Sequence, residues 1–592
     1  MLLAAASLAW LIALETVSAQ LLFPANTHQY TFSSTGGLNC SQASSAGPRW
    51  SDPGRTPRVA IIGAGAGGSS AAFFLKHFDS LAGHDLHTDV TVYDAADYVG
   101  GRSTVIWPWN DDPLAVPHSG SVDALEPPVE LGASIYVAAN KNLQKARRVF
   151  GLEDDAYDGE DGGMAIWDGE TFVFQESSGG ATWDWWNKAK LLWRYGRSAF
   201  TVRSLVQKTV ASFVNLYHPE FVSQGAFTSI ANFSAATNLQ DAASVSASDY
   251  FSTQGVSDLF TNELTSAATQ VNYGTPVSRL HGVGALVSLA ATGAVAVRGG
   301  NRQIFENFVG KSGARLRLGE NARVEELLKL DAGVRRRRQH RTSEEEQATE
   351  RTTRAQWVVK TASGIGGGTY DAIILAAPYH HTGIHFVNSL APALIPKQPY
   401  VKLYVTFIIT NATTPQASYF GLKEGTPMPN EIFGTFTTPS TRKPTFNSLN
   451  YLKPLPSAIG ARFGGGGSNE TDTTTFHVVK MFSDRSLLVQ QDDDGTSTLL
   501  DDLFGRYNVV KTVEKTWFAY PRLAPVRNPE RDYAPVRPDQ GLYYVNAMER
   551  LVSTMETETV SAFNIVSLLL NDLYGYTPPS SWAEWPEEEE QS

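Results

Sequence analysis

The sequence predicts an α/β protein in which a domain with a parallel sheet carries an inserted α+β domain. The stretch RVAIIG at Arg58 reads as an apolar strand, a small-residue helix follows to about Phe78, and DVTVYD forms a second strand that ends at Asp94. A later stretch, YDAIILAAP around Asp371, has the continuous apolar character of a strand that is covered on both faces. The chain has 592 residues, more than one hydrophobic core usually holds, which predicts two domains.

Composition restricts the class of protein before any motif is considered. Hydrophobic residues make up 42% of the chain, enough for a packed globular protein, and the formal net charge is −12. An acidic chain with a pI of about 5.5 argues against nucleic acid as a bulk partner. No later apolar run has the length that a bilayer requires, so we expect no transmembrane span.

The glycines Gly63, Gly65, Gly67 and Gly68 stand where the first strand meets the helix. Three of them fit the pattern G-x-G-x-x-G, in which the first allows a tight turn, the second lets a pyrophosphate approach the backbone, and the third lets helix and strand pack closely. The helix N-terminus then offers free N–H groups and partial positive charge to phosphates. Asp94, at the end of the second strand, can accept hydrogen bonds from a ribose. The segment therefore predicts a Rossmann-like dinucleotide-binding unit.

A second glycine pair, Gly100 and Gly101, is followed by Arg102 shortly after the second strand. The glycines again permit close backbone approach, and the arginine presents a fork of donors to phosphate. This order resembles the large class of FAD enzymes that includes the amine oxidases. Glu130 and Gly132 in VELGASIY look like the next element of that class, whose loop approaches the flavin. The resemblance implies FAD that is held permanently, rather than NAD that exchanges.

Further blocks of sequence resemble the prenylcysteine oxidase family and stand in that family's order. Along the chain they read LLWRYGRS, VNYGTP, VRGGNRQIFENFVG, DAIILAAP, KTWFAYPRLAPV and GLYYVNAMERLVSTMETETVSAFNIVSLL. The segments LLWRYG and NAMER…STME are specific to the family, whereas the glycine motifs are shared by many flavoproteins. The resemblance covers roughly residues 57–575.

The resemblance implies further cofactor contacts. The backbone of Val324, in the stretch ARVEEL, would contact the adenine as in related oxidases. The last block would form a strand, a loop and then a helix from about Ser553, whose positive end near Met555 would point at the flavin. Many relatives hold the ribityl chain with an aspartate near this strand end. Here Glu549 is the nearest acid, with Asn546 beside it, and Glu549 is therefore the predicted contact.

The implied activity is cleavage of the thioether in S-farnesyl- or S-geranylgeranyl-cysteine, which is left when prenylated proteins are degraded. The products would be free cysteine, a prenyl aldehyde and hydrogen peroxide, with molecular oxygen reoxidising the flavin. An amine or amino-acid oxidase on the same scaffold is one alternative, since the FAD motifs are shared. A lipid-binding flavoprotein that has lost its chemistry is another. The catalytic side chains are not assigned, because a thioether has no N–H or O–H proton for a base to remove.

The domain organisation that we predict interrupts the FAD-binding domain with the substrate domain. In chain order the segments are a signal peptide (1–19), a flexible leader (20–56), the first part of the FAD-binding domain (57–180), a mainly helical part of the substrate domain (181–298), the second part of the FAD-binding domain (299–380), the second part of the substrate domain (381–535), the C-terminal strand and helix of the FAD-binding domain (536–575), and an acidic tail (576–592).

The first 19 residues, MLLAAASLAWLIALETVSA, have the apolar stretch and the small residues of a secretory signal peptide. A buried N-terminal helix is the alternative interpretation. The single Cys40 excludes an intrachain disulfide. We expect a glycoprotein of the secretory pathway, in a lysosome, a vacuole or the extracellular space. The candidate glycosylation sites are the sequons at Asn39, Asn232, Asn411 and Asn469.

Three other features of the sequence leave alternatives open. The stretch WDWWNKAKLLWRYGRS from Trp183 suits either an interfacial helix in peripheral contact with a membrane or a substrate-domain helix, and the two are compatible if the helix frames an entrance for a lipid. The charged block Arg335–Arg354 has no apolar face and is predicted to be a solvated loop. His281, His380 and His381 are candidates for a general base, although satisfied or surface histidines are the simpler interpretation. No Cys or His cluster has metal-ligand spacing.

Overall fold

The computed structural model describes residues 55–117, 126–156, 163–176, 190–291, 293–330, 355–463, 475–488, 498–579 and 581–582. The predicted signal peptide and almost all of the leader, including Asn39 and Cys40, lie outside the described residues. So do Asn469, the first part of the Trp-rich stretch (183–189), the whole charged block Arg335–Arg354 and most of the acidic tail.

Strands account for much of the described chain. They are β1 (Arg58–Ile62), β2 (Asp89–Tyr93), β3 (Val105–Ile106), β4 (Val129–Glu130), β5 (Asp154–Ala156), β6 (Met164–Trp167), β7 (Phe172–Gln175), β8 (Val295–Val297), β9 (Arg315–Arg317), β10 (Val324–Leu330), β11 (Gln356–Thr361), β12 (Gly364–Tyr370), β13 (Ala372–Leu375), β14 (His385–Val387), β15 (Tyr400–Thr410), β16 (Glu431–Gly434), β17 (Ser448–Pro454), β18 (His477–Ser483), β19 (Val509–Pro521) and β20 (Leu542–Tyr544).

The helices fall mainly in the first half of the chain and at its C-terminal end. They are α1 (Ala66–Leu81), α2 (Lys141–Val149), α3 (Ser198–Val214), α4 (Pro219–Val222), α5 (Ile230–Ala236), α6 (Gln240–Ser244), α7 (Ala247–Thr253), α8 (Asp258–Phe260), α9 (Ser266–Tyr273), α10 (Gly282–Ser288), α11 (Arg302–Ser312), α12 (Tyr379–Thr382), α13 (Ala391–Leu394), α14 (Ser457–Gly460), α15 (Leu499–Phe504), α16 (Pro529–Asp532) and α17 (Met555–Tyr574), with a π-helical turn at Thr261–Thr265 between α8 and α9.

A five-stranded parallel sheet confirms the predicted α/β class. Its order is β20-β13-β1-β2-β9, so the strand that carries the glycine motif is the central one. The pairs Ile62–Leu375 and Ile62–Tyr93 set the register at the carboxyl end of β1. Every residue of β13 and all but the first residue of β1 are buried, which explains their continuous apolar sequences.

Helix α1 packs tightly on this sheet because its first half is built from small residues. Ser69, Ser70, Ala71 and Ala72 are all buried, so α17 and α11 can approach α1 closely. Farther along, Phe74 packs edge-on against the Phe563 ring of α17, with ring centroids 5.7 Å apart. Short side chains near the glycine loop and aromatic ones farther along thus fix the position of the helix N-terminus.

A seven-stranded sheet of order β19-β15-β18-β17-β16-β6-β7 forms the core of the β part of the substrate domain. Its strands β6 and β7 come from residues 164–175, which the predicted boundary at residue 180 assigns to the FAD-binding domain. The structure places them elsewhere, because β6 pairs in parallel with β16 from Glu431 to Gly434. These two short strands have no motif of their own, so only the distant pairing partner reveals which sheet they join.

A third sheet, of order β12-β11-β10-β14, packs beside the parallel sheet. The Tyr93 hydroxyl of β2 lies 2.7 Å from the Tyr370 hydroxyl at the end of β12 and links the two sheets. Strands β10 and β11 are antiparallel neighbours, and the predicted loop 335–354 lies between them in sequence. Within the described residues no helix combines the length and apolar character that a bilayer-spanning segment needs.

Candidate functional site

The carboxyl ends of β1, β2, β13 and β20 open onto a cavity of about 380 Å³. In open α/β sheets, ligands bind in the crevice outside these strand ends. Among the residues that line the cavity are Gly63, Gly65, Gly67, Asp94, Gly100, Gly101, Arg102, Leu131, Gly132, Ala133, Ala376, His381, Tyr400, Tyr520, Asn546, Glu549, Ser553, Thr554, Met555 and Glu558. Nine of the twelve predicted cofactor residues are in this set, and Gly68, Glu130 and Val324 are not.

The glycines of the first loop are required for different reasons. Gly63 has φ +110°, and a Cβ there would lie 2.4 Å from the Ala376 carbonyl oxygen. A Cβ at Gly68 would lie 1.8 Å from the Gly63 carbonyl oxygen, so this glycine allows the close packing of helix on strand. Gly65 differs, because its φ is −77° and the nearest protein atom to an added Cβ, the Gly101 Cα, is 3.8 Å away. The protein's own packing therefore does not require a glycine at position 65. A larger side chain there would extend into the cavity, so glycine keeps the cavity open.

The N-terminus of α1 faces this cavity without a side-chain cap. Gly65 is the N-cap residue and supplies no side-chain acceptor, and the first turn of α1 contains no acidic residue. The first N–H groups of a helix have no partner within the helix and carry partial positive charge. With Gly65 leaving the approach open, this end of α1 is suited to a diphosphate.

Asp94 anchors the glycine loop as well as lining the cavity. Its Oδ2 accepts a hydrogen bond from the Ala64 amide at 2.7 Å, and its Oδ1 accepts one from the Ala96 amide at 2.8 Å. Burial raises the pKa of Asp94, while these backbone hydrogen bonds oppose the rise. Each carboxylate oxygen keeps acceptor capacity for a further donor, such as a ribose hydroxyl.

The second glycine pair passes directly beside the first loop. The Gly100 amide donates to the Ala64 carbonyl at 2.9 Å, and a Cβ at Gly101 would lie 3.1 Å from the Gly65 Cα. Arg102 follows, and its Nη1 donates to the Ala519 carbonyl at 3.1 Å. The two glycine segments therefore form adjacent walls of one cavity, as their order in the sequence predicts.

Glu549 lines the cavity, but its carboxylate oxygens already have protein partners. The side chain is 1% exposed and forms an ion pair with Arg102. Its other oxygen accepts the hydroxyl of Tyr400, and Ser553 Oγ donates to Oε1 at 3.3 Å. Burial, and then the charge of Glu549, raise the pKa of Tyr400, so its hydroxyl stays a donor. The arrangement makes Glu549 a holder of Arg102, a contact that the sequence did not indicate.

Asn546 and Glu558 form a second polar pair on the cavity wall. Asn546 Nδ2 lies 3.4 Å from Glu558 Oε2, while Asn546 Oδ1 and Glu558 Oε1 are buried without a hydrogen-bond partner in the described part of the chain. A Cβ at Gly67 would lie 3.1 Å from Glu558 Oε2, so this carboxyl is next to the first turn of α1. Burial, and then the charge of Glu549, raise the pKa of Glu558 well above its usual value of 4.5, whereas Arg102 lowers it. A protonated carboxyl beside this turn can donate to a diphosphate that a carboxylate would repel.

Helix α17 begins at the cavity wall with a strong N-terminal cap. The Thr554 side chain accepts from the Thr557 amide, and the Thr557 side chain accepts from the Thr554 amide. The cap fixes the position at which the helix starts, at Met555, with its positive end on the wall. Met555 was predicted from the family resemblance, and it lines the cavity together with Ser553 and Thr554.

Two predicted cofactor contacts, Glu130 and Val324, do not line this cavity, and their contact with the cofactor stays a prediction. Glu130 Oε1 accepts the Asn301 amide at 2.6 Å, and burial raises the pKa of Glu130 to about 7. Its carboxyl therefore orders the backbone around Asn301, while the following residues, Leu131 to Ala133, line the cavity. Val324 lies at the start of β10 in the third sheet and pairs with Thr361. The predicted Gly132 is among the residues that line the cavity, whereas the Glu130 side chain is held by the backbone at Asn301.

The three candidate histidines have different surroundings. His281 is fully buried, caps α10 by accepting the Gly284 amide at 3.1 Å, and has its pKa lowered to about 4 by burial. His380 has Nε2 3.1 Å from the Ile395 carbonyl oxygen and does not line the cavity. His381 does line it, with its ring centroid 4.6 Å from that of Tyr400, and burial followed by the charge of His380 lowers its pKa.

A second cavity, of about 210 Å³, adjoins the first. Its walls are predominantly apolar and come mainly from α2, α3, α9, α10, the segment between β4 and α2, and the start of α17. They include Val137, Leu143, Val210, Phe213, Leu239, Val283, Leu286, Val287 and Ala291. The two cavities share a wall formed by Ala133, Tyr520, Ser553, Thr554 and Met555.

The larger cavity fits FAD on the chemistry of its walls. The open space at Gly65 and the uncapped helix end suit a diphosphate, and Asp94 suits a ribose. Buried polar atoms without partners, Asn546 Oδ1 and Glu558 Oε1, are what a polar ligand would satisfy. Among the described residues, no group of three or more His, Cys, Asp or Glu side chains is placed to hold a metal ion.

Fold and cavity together define the class of protein as an FAD-dependent oxidoreductase. Residues 61–150 match the NAD(P)-binding Rossmann-like domain family. The structure resembles that of cyclohexylamine oxidase from Brevibacterium oxydans IH-35A with a TM-score of 0.51, 13% identity, and coverage of 88% of this chain and 99% of the other.

Residues 178–579 match the prenylcysteine lyase family, and the chain belongs to that family. It is 26% identical to farnesylcysteine lyase of Arabidopsis thaliana over 90% of this chain and 91% of that protein. It is 26% identical to prenylcysteine oxidase 1 of Bos taurus, over 90% of this chain and 92% of the other. With the human prenylcysteine oxidase 1 it shares 26% identity over 88% of this chain and 90% of the relative.

Proposed function

We propose that this protein is an FAD-dependent oxidase that cleaves the thioether of S-farnesyl- or S-geranylgeranyl-cysteine. One mole of thioether, oxygen and water would give one mole each of free cysteine, prenyl aldehyde and hydrogen peroxide. The observation that carries the proposal is the shared wall between a cavity that fits FAD and an apolar cavity. An apolar cavity in that place suits a substrate with a long hydrocarbon tail next to the reacting bond. The family match and the names of the relatives support the same substrate class.

The residues of the larger cavity would hold the cofactor in separate parts. Gly65 and the N-terminus of α1 would bind the diphosphate, and Asp94 would bind the ribose. Arg102, which Glu549 holds in place, would contact either the phosphates or the flavin. When bound there, FAD would supply the acceptor for a hydride, which carries both electrons of the oxidation, and a route for these two electrons to oxygen. The protein's part is therefore to position both molecules and to control charge and water at the shared wall.

The residues of the shared wall would orient the reacting carbon. Tyr520 and Met555 contribute to both cavities, so a chain lying in the apolar one ends beside the other. The positive end of α17 starts at the same wall and would stabilise negative charge that develops there. No base is needed at the carbon, since the sulfur and the prenyl double bond both stabilise positive charge after a hydride leaves. Buried His281 is held in a helix cap and is not available as one.

The proposal extends to where the protein works. The N-terminal sequence and the sequons support the secretory pathway, with a lysosome, a vacuole or the extracellular space as the final compartment. Asn232 is exposed on α5 and is a glycosylation candidate that a glycan could reach, whereas Asn411 is half-buried after β15. Peripheral contact with a membrane belongs to the proposal too, because a prenyl tail partitions into bilayers.

One assay with purified holoprotein tests the central claim. Farnesylcysteine should yield free thiol and hydrogen peroxide in equal amounts, with oxygen consumed in the same ratio. A panel of primary amines and amino acids run in parallel should yield no ammonia. Release of ammonia without thiol would assign the protein to the amine oxidases instead, and absence of any turnover with reducible flavin would refute the oxidase function.

A further inference from the structure

A basic segment of the surface leads to the apolar cavity. We call residues 190–214 the docking segment; it consists of a helical stretch, 190–195, a short turn, and α3. Between residues 190 and 219 the chain contains no Asp or Glu. The segment contains the basic residues Lys190, Arg194, Arg197, Arg203 and Lys208. In a protein of net charge −12, such a run is a local reversal of charge.

Large apolar side chains are exposed on the same segment. Trp193 is 92% exposed, Leu192 51% and Phe200 48%. A single exposed apolar residue needs no explanation, but three within nine residues, one of them a tryptophan, form a local apolar surface. Tryptophan beside basic residues is typical of helices that lie in the interfacial layer of a membrane.

The cations of the segment are only partly neutralised by the protein. Arg194 forms a bidentate ion pair with the buried Glu263, at 2.7 and 2.6 Å. This pair anchors the helical stretch to the π-helical turn at Thr261–Thr265, so the segment is held in place. Arg197 and Lys208 are exposed, and no acidic residue of the segment itself is available to them. The surface therefore favours an anionic partner.

The same helix continues to the apolar cavity. Phe200 is exposed near the start of α3, whereas Thr209, Val210 and Phe213 near its end line the cavity. One helix thus joins the exposed apolar surface to the walls that would hold a prenyl tail. A bilayer is the partner that matches all of these features, because it offers anionic headgroups to the cations and an apolar layer to the aromatic side chains.

We propose that the docking segment binds the surface of an anionic phospholipid bilayer, with Leu192, Trp193 and Phe200 in the interfacial layer. The prenyl tail of a substrate dissolved in the bilayer would then enter the apolar cavity along α3, a consequence that rests on the proposed function. Binding itself does not depend on catalysis and can be measured without substrate.

The test is co-sedimentation of the purified holoprotein with sucrose-loaded vesicles. Wild type should bind anionic vesicles of phosphatidylcholine with about 30% phosphatidylserine, and should bind at least about tenfold more weakly to vesicles of phosphatidylcholine alone. Trp193→Ser/Phe200→Ser should lose about tenfold or more of the affinity. Arg197→Gln/Lys208→Gln should lose about twentyfold, since each interfacial cation contributes roughly a factor of five. The matched control Ile365→Ser/Tyr507→Ser removes two other exposed apolar side chains, 73% and 84% exposed, and should bind as wild type does.

Two results would overturn the proposal. One is no binding of wild type to the anionic vesicles, which would leave a protein partner as the occupant of this surface. The other is equal loss of binding in the control and in Trp193→Ser/Phe200→Ser. Turnover then separates this proposal from the proposed function. With farnesylcysteine in anionic vesicles, Trp193→Ser/Phe200→Ser should release peroxide more slowly than wild type, while with monomeric farnesylcysteine in solution the two rates should agree. Absence of peroxide from wild type in both presentations refutes the proposed function whatever the vesicle-binding result.

Discussion

Replacement of Gly65 by alanine should remove FAD binding without disturbing the fold. The added Cβ would lie 3.8 Å from the Gly101 Cα and 3.9 Å from the Gly100 carbonyl oxygen, which are ordinary contacts. The φ of −77° suits alanine. Alanine is a poorer N-cap than glycine, which lowers the free energy of unfolding by up to about 1 kcal/mol. Alanine also lowers the entropy of the unfolded chain, which raises the free energy of unfolding by a similar amount. The free energy of unfolding of the apoprotein should therefore change by less than about 0.5 kcal/mol.

Cofactor affinity should respond quite differently. The methyl group would occupy the space through which a diphosphate reaches the N-terminus of α1. Hydrogen bonds to charged groups contribute about 1.5–3 kcal/mol each, so loss of two of them costs at least about 3 kcal/mol. The dissociation constant for FAD should rise by roughly a hundredfold or more.

Gly68→Ala is the matched control, because it adds the same methyl group on the other side of the loop. There the Cβ would lie 1.8 Å from the Gly63 carbonyl oxygen, so the helix must shift. Such overpacking typically costs about 1–3 kcal/mol of stability. Urea unfolding of both apoproteins and titration with FAD, followed by quenching of its fluorescence, would measure the two effects. Wild-type affinity in folded Gly65→Ala, or equal destabilisation in both variants, would refute the assignment of this cavity to the diphosphate.

Further predictions concern the buried acid, the histidines and the apolar cavity. Burial raises the pKa of Glu558 above 4.5, so this carboxyl ionises at a higher pH in the folded protein than in the unfolded chain. The free energy of unfolding should therefore fall as the pH rises above about 4.5. Glu558→Gln should therefore raise the unfolding midpoint of the apoprotein more at about pH 8 than at about pH 5, and parallel shifts at the two pH values would contradict this. His281→Ala should lower the free energy of unfolding by about 1 kcal/mol, because the helix cap is lost. Both His281→Ala and His381→Ala should slow anaerobic flavin reduction by farnesylcysteine less than about tenfold. A thousandfold loss of this rate with FAD still bound would show that a histidine base is used. Leu286→Trp fills the apolar cavity and should raise KM for farnesylcysteine at least about tenfold with FAD content unchanged, so an unaltered KM would place the tail elsewhere.

The parts of the site that the sequence predicts well are those encoded within a short stretch. The loop around Gly65, Asp94 and the Gly100–Arg102 segment line one cavity, because strand, turn and helix follow each other closely and leave few arrangements open. The helix that begins at Met555 is predicted from the blocks of sequence that resemble the family, rather than from its own residue pattern. In each case the residues carry a motif whose geometry is local.

Contacts made across the fold could not be predicted in the same way. Tyr400 donates to Glu549 from the start of β15, and nothing in its alternating strand sequence distinguishes it from the tyrosines around it. Glu558 reads as an ordinary acid in the first turn of a helix, and only the neighbouring Gly67 shows that it faces α1. The adenine contact of Val324 is predicted only from the family resemblance, and the sequence does not show that β10 belongs to the third sheet.

The parallel sheet has a consequence for how the protein matures. Its edge strand β20, and the helix α17 whose start forms the shared wall, lie within the last part of the chain, residues 542–574. A nascent chain that lacks them has neither a complete wall for the flavin nor a closed end to the apolar cavity. Contacts between such distant segments form late, after synthesis has delivered both partners. Uptake of FAD therefore reports that translation has reached the end of the fold, and a yellow protein is one whose final helix is already docked.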